Sequence, residues 1–138
     1  MGRIMAIDYG TKRIGIAVTD PLKMIAGSLT TVDSKEIMSF LTEYLKKEEV
    51  ECIVIGRPFN LDNTDSEIEN DIQAFLVNLK TSFPALRIER IDERYTSKIA
   101  QQTIIDAGIK KMERRDKSLA DKVSATIILQ SYLELKKS

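Results

Sequence analysis

Four consecutive apolar residues, Cys52-Ile53-Val54-Ile55, lie between two segments of helical periodicity, and this run limits the possible folds more than any other stretch of the chain. A strand with no polar side must be covered on both faces, which is the situation of a parallel strand inside an α/β sheet. Upstream, Ile37, Phe40, Leu41, Tyr44 and Leu45 recur at helical spacing behind Ser34, a candidate N-cap, so a helix is expected from Ser34 to about Glu48. Downstream, Ile68, Ile72, Phe75, Leu76 and Leu79 mark a second helix over Asp65 to Lys80.

The beginning of the chain follows a different rule. Two short apolar runs, Arg3 to Asp8 and Ile14 to Asp20, flank the tight turn Tyr9-Gly10-Thr11-Lys12-Arg13, the pattern of an antiparallel hairpin. Asp20-Pro21 stops the second strand, and a third is expected around Ser28 to Val32. Later, Pro84 precedes a strand over Leu86 to Glu93. Thr96 or Ser97 caps a third helix that Gly108 ends after Ala107, and a final helix covers Ser118 to Leu135. The order predicts an α/β fold with a five-stranded mixed sheet, antiparallel in its first three strands and flanked by helices. At 138 residues, this is the size of one domain.

Composition removes whole classes of chemistry. The chain has no histidine, which excludes Ser-His-Asp and Cys-His catalysis and every His-ligated zinc site. Its single cysteine, Cys52, cannot form an intrachain disulfide and reads as a buried thiol in a reducing compartment. No apolar run is long enough for a membrane span, and the first residues lack a signal peptide's apolar centre, so a cytoplasmic location is expected. Formal net charge is zero, so any nucleic-acid binding must use local basic patches rather than a global field.

Three acidic residues from distant segments fall where such a sheet gathers ligands. Asp8 ends the first strand, Glu93 closes the strand after Pro84, and Asp121 lies in the first turn of the final helix. Together they would offer hard oxygen donors to Mg²⁺ or Mn²⁺. Each also has an ordinary explanation: a turn-forming Asp, an ion pair with Arg94, and an acid favoured by the helix dipole. Asp92 and Glu93 are neighbours on an extended strand and point to opposite faces, so both cannot reach one metal without a distorted backbone. The helix that carries Asp121 is expected to bury Ala120, Val123, Ile127 and Ile128, with Asp121 at the edge of that face.

Four segments carry a resemblance to a known family: Ile7 to Asp20, Ile55-Gly56-Arg57-Pro58, Asp92 to Ser97, and Asp121 to Leu133. In order and over essentially the whole chain, they resemble the bacterial YqgF (RuvX) family of pre-16S rRNA nucleases and Holliday-junction resolvases. The resemblance implies an RNase H-like domain over residues 1–138 and metal-dependent phosphodiester hydrolysis. It assigns the catalytic and metal-binding carboxylates to Asp8, Glu93 and Asp121, with Asp92 as the second choice to Glu93. The chain departs from the family pattern at Arg57, where Leu is usual, at Asn63, where Gly is usual, and at Ser124, where Ala is common. None of these touches the three acids, but Arg57 and Asn63 bear on how the rim meets a phosphate backbone.

On this reading two metal ions roughly 4 Å apart would activate water and stabilise the leaving oxygen. Lys12 and Arg13 on the first hairpin, with Arg57 and Arg94, are candidate nucleic-acid contacts. So are Lys110, Lys111, Arg114 and Arg115, which lead towards Asp121. Solvated surface charge is the plain alternative for all of them. No aromatic stacking platform is evident, which favours recognition by shape and backbone. The expected substrate is the 5′ end of precursor 16S rRNA, with branched DNA second. No nucleotide cofactor and no membrane partner are expected, and the protein is read as a monomer or weak dimer. Two rivals stand beside this reading: an actin-like or sugar-kinase lobe, which Asp8-Tyr9-Gly10-Thr11 fits but for which the chain is short and which would not require Glu93 and Asp121, and a nucleic-acid-binding domain that has lost activity.

Overall fold

A computed structural model describes residues 2–23, 25–60, 62, 64–96 and 117–137, with side chains omitted at 95–96, 117–123 and 137. The chain forms strands β1 (Arg3–Asp8), β2 (Arg13–Thr19) and β3 (Ala26–Asp33), then helix α1 (Ile37–Lys47) and strand β4 (Val50–Arg57). Helix α2 (Ile68–Ser82), strand β5 (Arg87–Asp92), a 3-10 turn (Glu93–Thr96) and helix α3 (Lys117–Lys137) follow, and another 3-10 turn (Ser34–Glu36) leads into α1. The sheet order is β3-β2-β1-β4-β5. β1, β2 and β3 pair antiparallel, whereas β1, β4 and β5 run parallel. This is the mixed sheet that the sequence predicts. The expected helix between Thr96 and Ala107 lies outside the described residues.

Strand pleating divides the core in two, because successive side chains point to opposite faces. Met5 and Ile7 of β1, Ile14 and Ile16 of β2, and Ile53 and Ile55 of β4 pack against Ile37 and Leu41 of α1 and Ile72, Phe75, Leu76 and Leu79 of α2. Ile4 and Ala6, Ala17, Cys52 and Val54, and Ile91 pack on the other face against Ala125, Ile128, Leu129 and Tyr132 of α3. The unbroken apolar run of β4 is therefore shared between both cores, with Cys52 to Ile55 fully buried.

Three local expectations are corrected. The helical segment does start at Ser34, as the 3-10 turn Ser34–Glu36 before α1, but Ser34 is no cap: its hydroxyl donates to the Thr11 carbonyl at 2.8 Å and its N–H to Lys12 O at 3.0 Å. Helix α2 begins at Ile68 rather than Asp65, whose carboxylate is drawn back to Arg57 at 3.0 Å. The buried stripe of α3 runs through Ala125, Ile128, Leu129 and Tyr132, leaving Ile127 only partly covered.

Candidate active site

The hairpin turn after β1 is set by two neighbours of Asp8. The Tyr9 ring packs on Phe75 of α2, with centroids 5.1 Å apart. At position 10, any Cβ would collide with the Arg13 carbonyl oxygen, so the tight return requires glycine. Tyr9 is thus anchored on the α2 side, and pleat alternation turns Asp8 to the opposite side, the one that Ala6 shares with α3.

Glu93 reaches the same side from β5. Gly56 pairs with Ile91 and Arg57 with Asp92, so the chain leaves the sheet one residue later. A Cβ built on Gly56 would lie 2.5 Å from Glu93 Oε1, 3.0 Å from Glu93 Cγ and 2.9 Å from Ile128 Cδ1 of α3. The Glu93 side chain therefore occupies space that only a glycine at position 56 leaves open. Glu93 does not close the strand as predicted; it begins the 3-10 turn that follows β5.

Asp92 and Glu93 have opposite environments. Asp92 accepts hydrogen bonds from Arg94 Nε at 3.0 Å, Nη2 at 2.5 Å and the Arg94 N–H at 2.9 Å, and these hold its carboxyl below the ordinary range. Burial raises the Glu93 carboxyl; Asp92 and Glu69 push it further up, while Arg90 pulls it down. Behind β4, Arg90 donates to the carbonyls of Ile55 at 3.2 Å and Gly56 at 3.0 Å. The same guanidinium grips Glu69 of α2 through two oxygens at 2.7 and 2.9 Å.

A hard divalent cation fits these groups. Glu93 is a carboxylate withdrawn from water, beside a glycine that leaves room and near other acids, and an added positive charge would offset that desolvation. Among the described residues, no three His, Cys, Asp or Glu side chains gather into a metal-holding group. The third predicted carboxylate, Asp121, has its side chain outside the described set.

The predicted basic contacts divide into three groups. Lys12 and Arg13 sit on the turn beside Asp8, and Arg57 and Arg94 sit beside Gly56 and Glu93, all at one end of the sheet. Lys110, Lys111, Arg114 and Arg115 lie outside the described residues, as does Asn63. The sequence reading missed Gly56, whose glycine makes room for Glu93, the Arg90–Glu69 pair and Phe59. A half-buried aromatic ring is present at this rim after all: the Arg94 guanidinium carbon lies 4.1 Å from the Phe59 ring centroid and that of Arg57 5.4 Å.

Comparison with known proteins agrees with this architecture. A family model described as RuvX, Holliday junction resolvase, matches residues 2–135. A relative from Christiangramia forsetii, provisionally named a pre-16S rRNA nuclease, is 55% identical over 133 residues, covering 96% of this chain and 98% of its own. One of the same name from Porphyromonas gingivalis is 54% identical over 134 residues and covers 97% of each chain. Among solved structures, Thermus thermophilus RuvC with a Holliday junction substrate superposes with a TM-score of 0.60 at 17% identity, covering 98% of this chain and 96% of that one. The Fowlpox virus resolvase with Holliday junction DNA gives 0.58 at 14% identity, covering 99% of both. At these identities the two structures establish a shared RNase H-like fold.

Proposed function

The chain belongs to the RuvX family of nucleases, and we propose that it is a divalent-metal-dependent phosphodiesterase that matures the 5′ end of precursor 16S rRNA in the cytoplasm. The observation that carries this reading is that Asp8 ends β1 and Glu93 follows β5, the strands on either side of β4, with the Glu93 side chain filling the space that Gly56 leaves open. No helix among the described residues is long and apolar enough to cross a membrane, in keeping with a substrate met in solution.

Asp8, Glu93 and Asp121 would hold the cation as hard oxygen donors. When bound, Mg²⁺ or Mn²⁺ supplies an activated water and stabilises the leaving oxygen. The protein's own part is to fix those carboxylates. Tyr9 on Phe75 sets the direction of Asp8, Gly56 and Ile128 bound the space for Glu93, and Arg90 pins the carbonyls at the end of β4. Lys12 and Arg13 on one flank would meet phosphates of the bound strand. With no histidine in the chain, proton transfer in the reaction falls to carboxylates and water.

A second reading, resolution of branched DNA, is favoured by the description attached to the family model. One experiment separates the two. A labelled precursor 16S 5′ segment and a labelled four-way DNA junction are incubated with Mg²⁺, Mn²⁺ or EDTA, with wild type beside Asp8→Asn. Metal-dependent cutting of the RNA, reduced roughly 100-fold or more in the variant, is expected from losing several kcal/mol of metal-assisted stabilisation. Paired symmetric cuts in the junction alone would assign the resolvase activity. RNA cutting that persists in EDTA, or in Asp8→Asn, would overturn the metal site.

A further inference from the structure

Two arginines, one phenylalanine and two aspartates form a small charge-balanced cluster at the rim beside Glu93. Arg57 is paired with Asp65 at 3.0 Å, and Arg94 with Asp92 at 2.5 Å. Both guanidinium groups lie near one ring, that of Phe59. Phe59 itself is held by an isolated bridge to Asp65, and the Asn60 side-chain amide donates to the Asp65 carbonyl at 3.1 Å. The Arg57 and Arg94 side chains nevertheless remain 42% and 49% exposed.

This arrangement decides how arginine would meet a nucleic acid here. A guanidinium binds phosphate through its N–H edge, and at Arg94 Nε and Nη2 already donate to Asp92. Two positive charges are balanced by two negative ones, so the cluster offers little net attraction to a phosphate. What a guanidinium resting on an aromatic ring does offer is a flat face, fixed in plane before any ligand arrives. Unpaired bases stack on aromatic rings and on arginine planes, whereas bases inside a duplex are stacked on each other. Arg94 directly follows Glu93, with Cα atoms about 3.8 Å apart, so a base on this face would belong to a nucleotide at or next to the scissile phosphate.

We propose that Phe59 and Arg94, with Arg57 beside them, form a stacking platform for one unpaired base next to the cleaved bond, which makes single-stranded RNA at the edge of a stem the substrate class. The inference builds on the nuclease reading above and narrows its substrate. It also assigns Arg57 and Arg94 a contact through their faces rather than through phosphate pairs.

The chain contains no tryptophan, so Phe59→Trp introduces a single reporter at the platform. In an Asp8→Asn background, to prevent cutting, this variant is titrated with an RNA hairpin bearing a single-stranded 5′ extension and with the blunt duplex of the same stem. Quenching by the extended hairpin but not by the blunt duplex is expected. Arg94→Lys keeps the charge and removes the plane. It should weaken binding of the extended hairpin roughly 5- to 100-fold, with the slope of affinity against salt unchanged and duplex binding unaffected. Circular dichroism and Phe59→Leu serve as folding controls, the latter losing the stacking contribution while keeping an apolar side chain.

Equal quenching by both RNAs, equal loss for both in Arg94→Lys, a reduced salt slope, or no binding of the extended hairpin would each overturn the platform. Failure of the nuclease reading looks different. Selective quenching with no metal-dependent cutting by wild type would leave the platform standing and remove the catalysis. Cutting that depends on Asp8 without selective quenching would do the reverse.

Discussion

Glu93 Oε1 lies 2.5 Å from the point where a side chain at Gly56 would begin. The carboxylate on one strand thus depends on an absence on its neighbour. Replacing Gly56 with Ala forces Glu93 aside and presses on Ile128 Cδ1, whose separation from the new carbon would be 2.9 Å. Crowding of this kind costs about 1–3 kcal/mol. Because the displaced group is a proposed metal ligand, apparent metal affinity should fall roughly 10- to 100-fold, the range for disturbed support of a metal site. Urea unfolding and a Mn²⁺ titration measure the two effects. A variant with normal metal affinity would show that Glu93 is not a ligand.

The Arg90–Glu69 pair behind β4 gives a second expectation. The side chain of Glu69 is only 7% exposed and also accepts a hydrogen bond from Gln73 at 2.6 Å. Arg90→Met leaves that carboxylate buried with one partner fewer and frees the carbonyls of Ile55 and Gly56. A loss of about 3 kcal/mol is expected. The double variant Arg90→Met/Glu69→Leu should recover a good part of it, since no buried charge is then left unpaired. Denaturant midpoints of the single and double variants test this directly, and equal stabilities would refute it.

The same pair makes stability depend on acid. Hydrogen bonds from Arg90 hold the Glu69 carboxyl below its ordinary value of 4.5, and the Tyr132 hydroxyl does the same for Glu89. A depressed carboxylate contributes stability that is present above its ordinary value and is lost as pH falls through the lower value. Glu93 has the opposite sign: its raised carboxyl favours the fold below the ordinary value of 4.5, and that contribution disappears as pH rises through the raised one. In metal-free protein, Glu69→Gln should therefore flatten the fall in stability between about pH 5 and pH 3. Urea midpoints across that range would show a shallower slope than wild type.

Bound metal should stabilise the fold through the same carboxylate. At a hundredfold excess over its dissociation constant, a ligand of the native state adds about 2.7 kcal/mol. Mg²⁺ or Mn²⁺ is expected to raise Tm in wild type and to leave Asp8→Asn and Glu93→Gln nearly unchanged, with EDTA reversing the rise. The shift should shrink as pH falls, because protonated Glu93 no longer donates. An equal rise in all three proteins would indicate cation binding elsewhere.

The fold could be read from the chain because its signals are periodic. The alternation around Tyr9-Gly10, the unbroken run Cys52 to Ile55 and the spacing of Ile72, Phe75, Leu76 and Leu79 each have one structural solution. Errors arose where a distant partner outweighed local pattern. Asp65 looks like a helix-starting acid, but it is drawn to Arg57 instead. Ser34 has the form of an N-cap yet ties down the first hairpin at Thr11. In α3, the run Ile127-Ile128-Leu129 is apolar all round, so periodicity could not tell which side is covered, and small Ala125 gave no hint that it lies at the centre. Asp8 was legible as an acid at a strand end and Glu93 as one beside a strand end, but the space that Gly56 leaves for Glu93 was not, because a glycine announces nothing about what fills its vacancy. Phe59 sits in a loop without periodicity, and its significance comes from Arg94, which is remote in sequence.

The division of the sheet into an α1–α2 side and an α3 side has a consequence for how this chain tolerates change in length. Asp8 reaches the α3 side because it is an even number of residues beyond Ile4 and Ala6, which face the same way. Removing or inserting one residue within Arg3–Ile7 would carry it through the sheet to the side of Phe75, however conservative the composition. Such a chain could keep most of its core and still have no Asp8 on the side that Glu93 occupies. Lengths can drift in the turn between Thr19 and Ala26, where the chain resets before pairing again, but β1 can exchange residues only one for one.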